Sequence, residues 1–496
     1  MLATGTGESQ RRAVALGFLL LAVIALIPIA SVELPPILDY PNHLARMHIL
    51  AALPGATDLA RFYRAVWTPI PDLAFDAIVP SLAHVIPVEI AMRLVLAATL
   101  LGLAGGCVAL HRAAFGRWSV WPLFAFLLLY NRMLLWGFLN YLAGVALTLW
   151  ALAAWMALER RPAGWRIAVG LIFVTAIYFA HLAAFGAYAL ALIAISLTSP
   201  ADRIKQTAIA LVTLLPAAAL FLLAPTSSAG SHIDFGNPLR KFDLPVSIFD
   251  NYDRIFDGAT FGIMLIAVIT GLVSRAIALH GRLRWSLIAL IAAFIVMPSR
   301  LLSASGIDHR LPIAIALLFV ASADWGAITP KGRNGLTAAI LALLLVRMAV
   351  IETVWLRADR DYAALRPAFS QIAQGAAVAV AARTVQAGGV PLFHFPALAV
   401  LDRDAFVDTI FADPRQQPLE LTDAAAGLAT GHLPGDLWQA VADNRLPPLP
   451  GYDDLVIVDP PNSLDIGKLP GTVLFSAPRM LLIHLLSPGP GTEHAQ

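Results

Sequence analysis

The run Ala13–Val32, AVALGFLLLAVIALIPIASV, carries no charged residue from end to end. A helix needs roughly 20 predominantly apolar residues to cross the hydrocarbon core of a bilayer. This stretch therefore reads as a membrane span, and it sets the class of the whole chain. Composition agrees: of 496 residues, 59% are hydrophobic and 13% charged, and the mean hydropathy is +0.75, whereas soluble domains carry roughly 25% charged residues. Further apolar runs fall at about 89–111, 118–131, 133–158, 166–180, 182–198, 206–224, 258–279, 283–298, 310–326 and 336–353. The expected fold is a polytopic α-helical membrane protein of about eleven transmembrane helices. The uncharged stretch 167–201 is too long for one crossing and reads as two short helices that turn at His181.

Orientation comes from the basic residues. Arg11 and Arg12, Arg112 and Arg117, Arg160 and Arg161, Arg203 and Lys205, Arg282 and Arg284, Lys331 and Arg333 gather in alternate connections, which the positive-inside rule assigns to the cytoplasm. The N-terminus is then cytoplasmic, the acid-rich connections face outward, and the C-terminus lies outside, in the periplasm of a Gram-negative inner membrane. The first run reads as an uncleaved anchor, because it exceeds the roughly 7–15-residue core of a signal peptide and Pro28 spoils a small-residue cleavage site. Cys107 is the only cysteine and reads as packing inside a helix.

Residues 1–353 make up the membrane part, with one long outer loop at 33–88 and another at about 225–257. From 354 to 496, charges, prolines and short mixed apolar runs replace continuous hydrophobicity. In that tail Asp453–Val458 and Gly471–Phe475 read as strands, and Asp361–Ala382 and Gly435–Asn444 as helices. The tail is expected to form an extracytoplasmic α/β domain with its own small core.

Ionisable groups at the membrane edge are costly, which makes each a candidate for function. The densest group is Leu38–Leu50, LDYPNHLARMHIL, just past the first span. Pro35 and Pro36 end that span, and Pro41 can serve as the first helical residue of a helix over Asn42–Ala52. On it Asn42 and Arg46 share a face beside His43, and Asp39 sits just ahead of the helix. The plain reading is a cap from Asp39 or Tyr40, with Arg46 reaching to lipid headgroups. The functional reading is a carboxylate held at the membrane surface.

A second group, Asp308, His309 and Arg310 in GIDHRLP (306–312), stands at the mouth of the tenth span. There an Arg either meets a lipid phosphate or anchors the interface while Asp308 caps the helix. His181 is the only titratable group in its run, and it is either a helix contact or a site residue. The pairs Asn131-Arg132 and Asn140-Tyr141, and the segment Phe249–Asp257, suit a cavity and ordinary packing equally. Asp324 is the main charge at the inner ends, and His394 in LFHFP reads as a strand-end residue. No Walker A, GxSxG, HExxH or CxxC pattern occurs, so ATP-driven pumping, serine hydrolysis and zinc peptidase chemistry have no footing, and nothing points to nucleic acid.

This architecture, with an aspartate opening a long first outer loop and an outer domain at the C-terminal end, resembles the GT-C membrane glycosyltransferases. That class includes the protein O-mannosyltransferases and the aminoarabinose transferase of lipid A. Its hallmark is an acidic residue in that loop, often Asp-Glu or Asp-Asp; here the dipeptide is Asp39-Tyr40. The resemblance implies transfer of a sugar from a polyprenyl-phosphate donor to a lipid, glycan or protein acceptor, with inversion and with Asp39 as general base. It implies Asn42, His43, Arg46, His181, Asp308, His309 and Arg310 as substrate-binding residues, the cations facing the carrier phosphate. No cofactor is expected, and a metal-free site is the more common arrangement. Two other readings stay open: a transporter or flippase of a lipid-linked glycan, and a surface polysaccharide polymerase or ligase.

Overall fold

The computed structural model describes residues 7–200, 202–225, 233–301, 304–383, 390–429 and 432–486. Part of the loop expected over 225–257, residues 226–232, lies outside them. Ten of the apolar runs coincide with α-helices: Gly7–Ser31, Val88–Phe115, Leu139–Ala157, Ala163–Ala180, Leu182–Leu197, Arg203–Leu223, Arg254–Val273, Leu283–Val296, Leu311–Ser322 and Pro330–Leu365. Seven helices among the described residues are long and apolar enough to cross a membrane, and the other runs fall on shorter apolar helices. The protein is a polytopic helical membrane protein.

The run 118–131 departs from a regular α-helix. It forms a 3-10 helix over Trp121–Leu128, followed by the short α-helix Arg132–Trp136. Asn131 is the reason. Its side-chain amide donates to the carbonyls of Leu128 and Leu129, while its Oδ1 accepts from the amides of Met133 and Leu134. One buried residue thus closes the first element and caps the second.

The chain divides into two compact units. The first takes in the chain up to Ser31, Pro69–Phe75 and Arg93–Val354. Its helices approach closely where side chains are small: a Cβ on Gly144 would stand 2.6 Å from that of Ala184, and one on Gly170 would stand 2.5 Å from Thr213. Several charges in this unit are consumed in pairs. Arg347 donates to Asp257 at 2.8 Å with both side chains buried, Arg282 donates to Glu159 at 2.7 Å, and Asp324 accepts from Arg117 and Ser119 at 2.6 and 2.8 Å. The 249–257 segment is spent the same way. Asp253 caps Arg254–Val273, and Asp250 pairs with Arg132.

The second unit takes in Val32–Thr68, Asp76–Met92 and the chain from Trp355 onward. Its centre is a five-stranded mixed sheet in the order Gly471–Ala477, Met480–Leu485, Asp454–Val458, Ala377–Ala381, Phe406–Val407. The first two pairings are antiparallel and the last two parallel. The two central strands, DLVIV and AVAVA, are buried along their whole length, as parallel strands covered on both faces require. The helix expected over Asp361–Ala382 is corrected here. Helical structure stops at a 3-10 turn, Arg366–Gln371, where Pro367 breaks it. Gly375 turns the chain at φ +66, and AVAVA then enters the sheet. Helix Pro434–Ala442 lays Leu437 and Val441 on Ala379, Ala381, Leu455 and Ile457. Most of the first loop, all but Pro69–Phe75, belongs to the same unit: Tyr63–Ala65 pairs antiparallel with Leu419–Leu421, Tyr63 opposite Leu421.

Candidate active site

In the second unit, Asp39 immediately precedes the helix Tyr40–Ala52, with Pro41 in its first turn. Its side chain makes no capping hydrogen bond. The carboxylate faces His394 instead, Oδ1 lying 3.4 Å from Nε2, and it keeps 23% of its surface exposed while the imidazole keeps 6%. A carboxylate that is positioned yet open is what proton abstraction from a substrate needs.

Asn42, four residues into this arrangement, is fully buried. The amide of Phe411 donates to its Oδ1 at 3.0 Å, so the nitrogen must be the other atom of the carboxamide. That nitrogen donates to the carbonyl of Thr409 at 2.6 Å and meets His394 Nδ1 at 3.1 Å. Since Nδ1 accepts, the proton of a neutral His394 sits on Nε2, facing Asp39. His43 packs edge-on to Phe411, ring centroids 5.8 Å apart. Arg46 is buried and bidentate to the buried Asp76, Nε to Oδ1 at 2.6 Å and Nη2 to Oδ2 at 3.1 Å. Its charge is therefore consumed within the fold. The polar atoms of Asn42 are engaged within the fold, and two nitrogens of Arg46 are held by Asp76, while its Nη1 is buried without a hydrogen-bond partner among the described residues.

The other named residues lie in the first unit. His181 breaks the helices Ala163–Ala180 and Leu182–Leu197 as expected, in extended backbone, and its Nδ1 accepts from the amide of Ala183 at 2.9 Å. Its Nε2 is 3.7 Å from Asp72 Oδ1, and its ring meets Tyr141 edge-on at 5.1 Å. Asp72 went unnoticed in the sequence. It holds a left-handed backbone at φ +73, and Asn140 fixes the turn by donating to the Asp72 carbonyl at 2.7 Å and accepting from the amide of Phe75 at 2.9 Å. A strained non-glycine backbone pinned by a neighbour is a frequent mark of function.

Arg310 heads the helix Leu311–Ser322. Its guanidinium lies over Phe138 at 4.7 Å, donates to the Ser305 carbonyl at 3.2 Å, and stands in the field of Asp72 and Asp308. The Tyr141 hydroxyl donates to the Arg310 carbonyl, and His309 packs on Trp136 at 5.4 Å. Among the described residues, Asp308 Oδ1, His309 Nδ1 and Arg310 Nε are all buried without a hydrogen-bond partner. Three consecutive side chains with unspent polar atoms are unusual, since buried polar groups are almost always paired. No group of three or more His, Cys, Asp or Glu side chains among the described residues is arranged to hold a metal ion.

Solved structures share this architecture. ArnT from Cupriavidus metallidurans bound to undecaprenyl phosphate superposes at a TM-score of 0.55, with 13% sequence identity over 95% of this chain and 98% of that one. The fold is that of ArnT. The apo state of ArnT from the same organism gives a TM-score of 0.52 and 14% identity, covering 94% of this chain and 97% of that one. At 13–14% identity the likeness is one of fold, and the polytopic helical architecture expected from the sequence is met at that level. No protein-family model matches the sequence, and no curated protein matches it.

Proposed function

We propose that the chain is an integral-membrane glycosyltransferase that moves a sugar from a polyprenyl-phosphate carrier to an acceptor hydroxyl. The observation that carries this reading is the Asp39 carboxylate, half-open and oriented by an imidazole of fixed tautomer. It is supported by the ArnT fold, seen in ArnT with undecaprenyl phosphate bound. As the acceptor oxygen attacks the anomeric carbon, its proton passes to Asp39. The bond from that carbon to the carrier phosphate breaks, its electron pair leaves with the phosphate, and the configuration inverts. His394 holds the base in place. Asp308, His309 and Arg310, with their unspent polar atoms, are assigned to the carrier phosphate and sugar, and Arg310 stabilises charge on the leaving group. Asp72 and His181 are assigned to sugar hydroxyls.

The basic residues of the alternate connections place the reaction on the outer face of a bacterial inner membrane, with the N-terminus cytoplasmic and the C-terminal part periplasmic. The steps are written without a metal ion. The transport reading loses ground because Asp324, Asp257 and Glu159 are tied to Arg117, Arg347 and Arg282.

Incubating the purified protein with a panel of polyprenyl-phosphate sugars, with and without a chelator, tests the reading. Carrier release that persists with the chelator and disappears in Asp39→Asn is the expected result. Full transfer by Asp39→Asn overturns the base assignment. Silence across the panel, together with movement of a lipid-linked glycan across proteoliposomes, returns the transport reading.

A further inference from the structure

A groove of about 1140 Å³ runs down the first unit between the helices Gly7–Ser31, Val88–Phe115, Leu139–Ala157 and Ala163–Ala180. Its volume exceeds the roughly 300–1,000 Å³ usual for small-molecule pockets. Small residues open it: Ala109 on one wall, Ala154 on the other, and Gly105, where a Cβ would stand 3.1 Å from the Trp150 ring. Leu19 and Trp150 line it and are 62% and 43% exposed.

The groove is apolar except at one end, where Arg11 and Arg112 are its only charged lining residues. Arg112 lies over Trp118 at 5.6 Å. Arg12 is spent on Glu8, whereas among the described residues no carboxylate pairs with Arg11 or Arg112. Length selects the occupant. From Arg112 to Leu101 the lining covers about 16 Å of helix at 1.5 Å per residue, close to half of a hydrocarbon core of roughly 30 Å. The cations and the tryptophan therefore stand at headgroup depth and the apolar floor reaches the midplane.

We propose that this groove is a binding site for one anionic glycerophospholipid of the leaflet at the Arg11 end, its phosphate between Arg11 and Arg112 and its acyl chains along the alanine-lined floor. A polyprenyl chain is longer than one leaflet and does not suit a groove that ends at the midplane. The site takes no part in the transfer chemistry above, and its occupant is a membrane lipid that stays bound.

Native mass spectrometry of the delipidated full chain, titrated with phosphatidylglycerol or with zwitterionic phosphatidylcholine, tests the proposal. One phosphatidylglycerol is expected to bind in preference to phosphatidylcholine, by about 30-fold for two basic residues facing an anionic headgroup. Arg11→Gln with Arg112→Gln abolishes the preference, and Ala154→Leu weakens both lipids by filling the floor. Equal binding of the two lipids by the wild type, or an unchanged preference in the double variant, overturns it. Should the variants fold poorly, phosphatidylglycerol with a photoactivatable acyl chain decides the matter on the wild type. Labelling concentrated on 101–113 and 150–157 supports the site, and labelling spread evenly over the helices refutes it.

Discussion

Asn42 sets which nitrogen of His394 carries the proton. Its carboxamide is locked by the Phe411 amide and the Thr409 carbonyl, so only a donor is left for His394 Nδ1, and the imidazole must present N–H to Asp39. The same logic recurs at His181, whose Nδ1 is taken by the Ala183 amide and whose Nε2 faces Asp72. Each compact unit therefore contains an aspartate addressed by a histidine of defined tautomer.

Replacing His394 tests whether that address matters. In His394→Ala the carboxylate loses its orienting partner, and kcat for transfer is expected to fall by about 100-fold, the loss that a misplaced reacting group brings. KM for the donor stays unchanged. His394→Gln keeps an N–H donor and recovers part of the rate. An equal fall in both variants, or a rise in KM alone, counts against a positioning role.

Arg46 and Asp76 are expected to behave as a fold lock. Arg46→Gln strands a buried carboxylate and lowers stability by about 3–5 kcal/mol, whereas Arg46→Gln with Asp76→Asn restores much of it. Thermal unfolding in detergent measures both. Donor affinity per folded molecule does not change, which separates this role from phosphate binding.

Asp72 separates charge from backbone. Asn accepts a left-handed conformation, so Asp72→Asn keeps the turn but weakens donor binding. Asp72→Val adds about 1–2 kcal/mol of backbone strain and lowers the unfolding midpoint as well. Isothermal titration with a polyprenyl-phosphate sugar, run beside thermal unfolding, distinguishes the two.

Asp408 makes the second unit sensitive to pH. Burial pushes its carboxyl up to about 7 from the ordinary 3.8, against the bond that its Oδ2 accepts from the Val380 amide. The folded form therefore holds a proton that the unfolded chain releases. Stability falls as pH rises from about 4 to about 7 and then levels, by up to about 4 kcal/mol in all. Asp408→Asn should flatten that slope. Hydrogen exchange of the strand Ala377–Ala381, followed across this range, gives the measurement.

The membrane helices were legible because hydrocarbon demands long uncharged runs, and nothing else in the chain imitates them. The turn at His181 could be read from the length of the uncharged run together with the alternation of basic connections, which a single crossing would reverse. Asp39 stood out through the prolines around it. What it faces could not be read, since Asn42 and His394 are 352 positions apart and only the sheet and its loops bring them together. Helical spacing put Asn42 and Arg46 on one face but could not report the partner there, which is Asp76, 30 residues on. AVAVA read as the tail of a helix because five alternating small and branched apolar residues fit either period. Its neighbours in the sheet, which lie far along the chain, decide for strand. Asp72 gave no local signal, since its left-handed backbone is imposed by Asn140.

The bond between Phe411 and Asn42 joins residues 369 positions apart. At a synthesis rate of roughly 5–20 residues per second, the segment holding Asp39 waits about 20–70 s on its destination side of the bilayer before the chain that completes it is made. The catalytic candidate is thus among the first parts of the protein to be translated and among the last to be built. During that interval Asn42 and the strand Tyr63–Ala65, whose partners lie beyond residue 390, are open to whatever quality-control machinery patrols that compartment. A chain truncated before residue 409 would leave both without their partners.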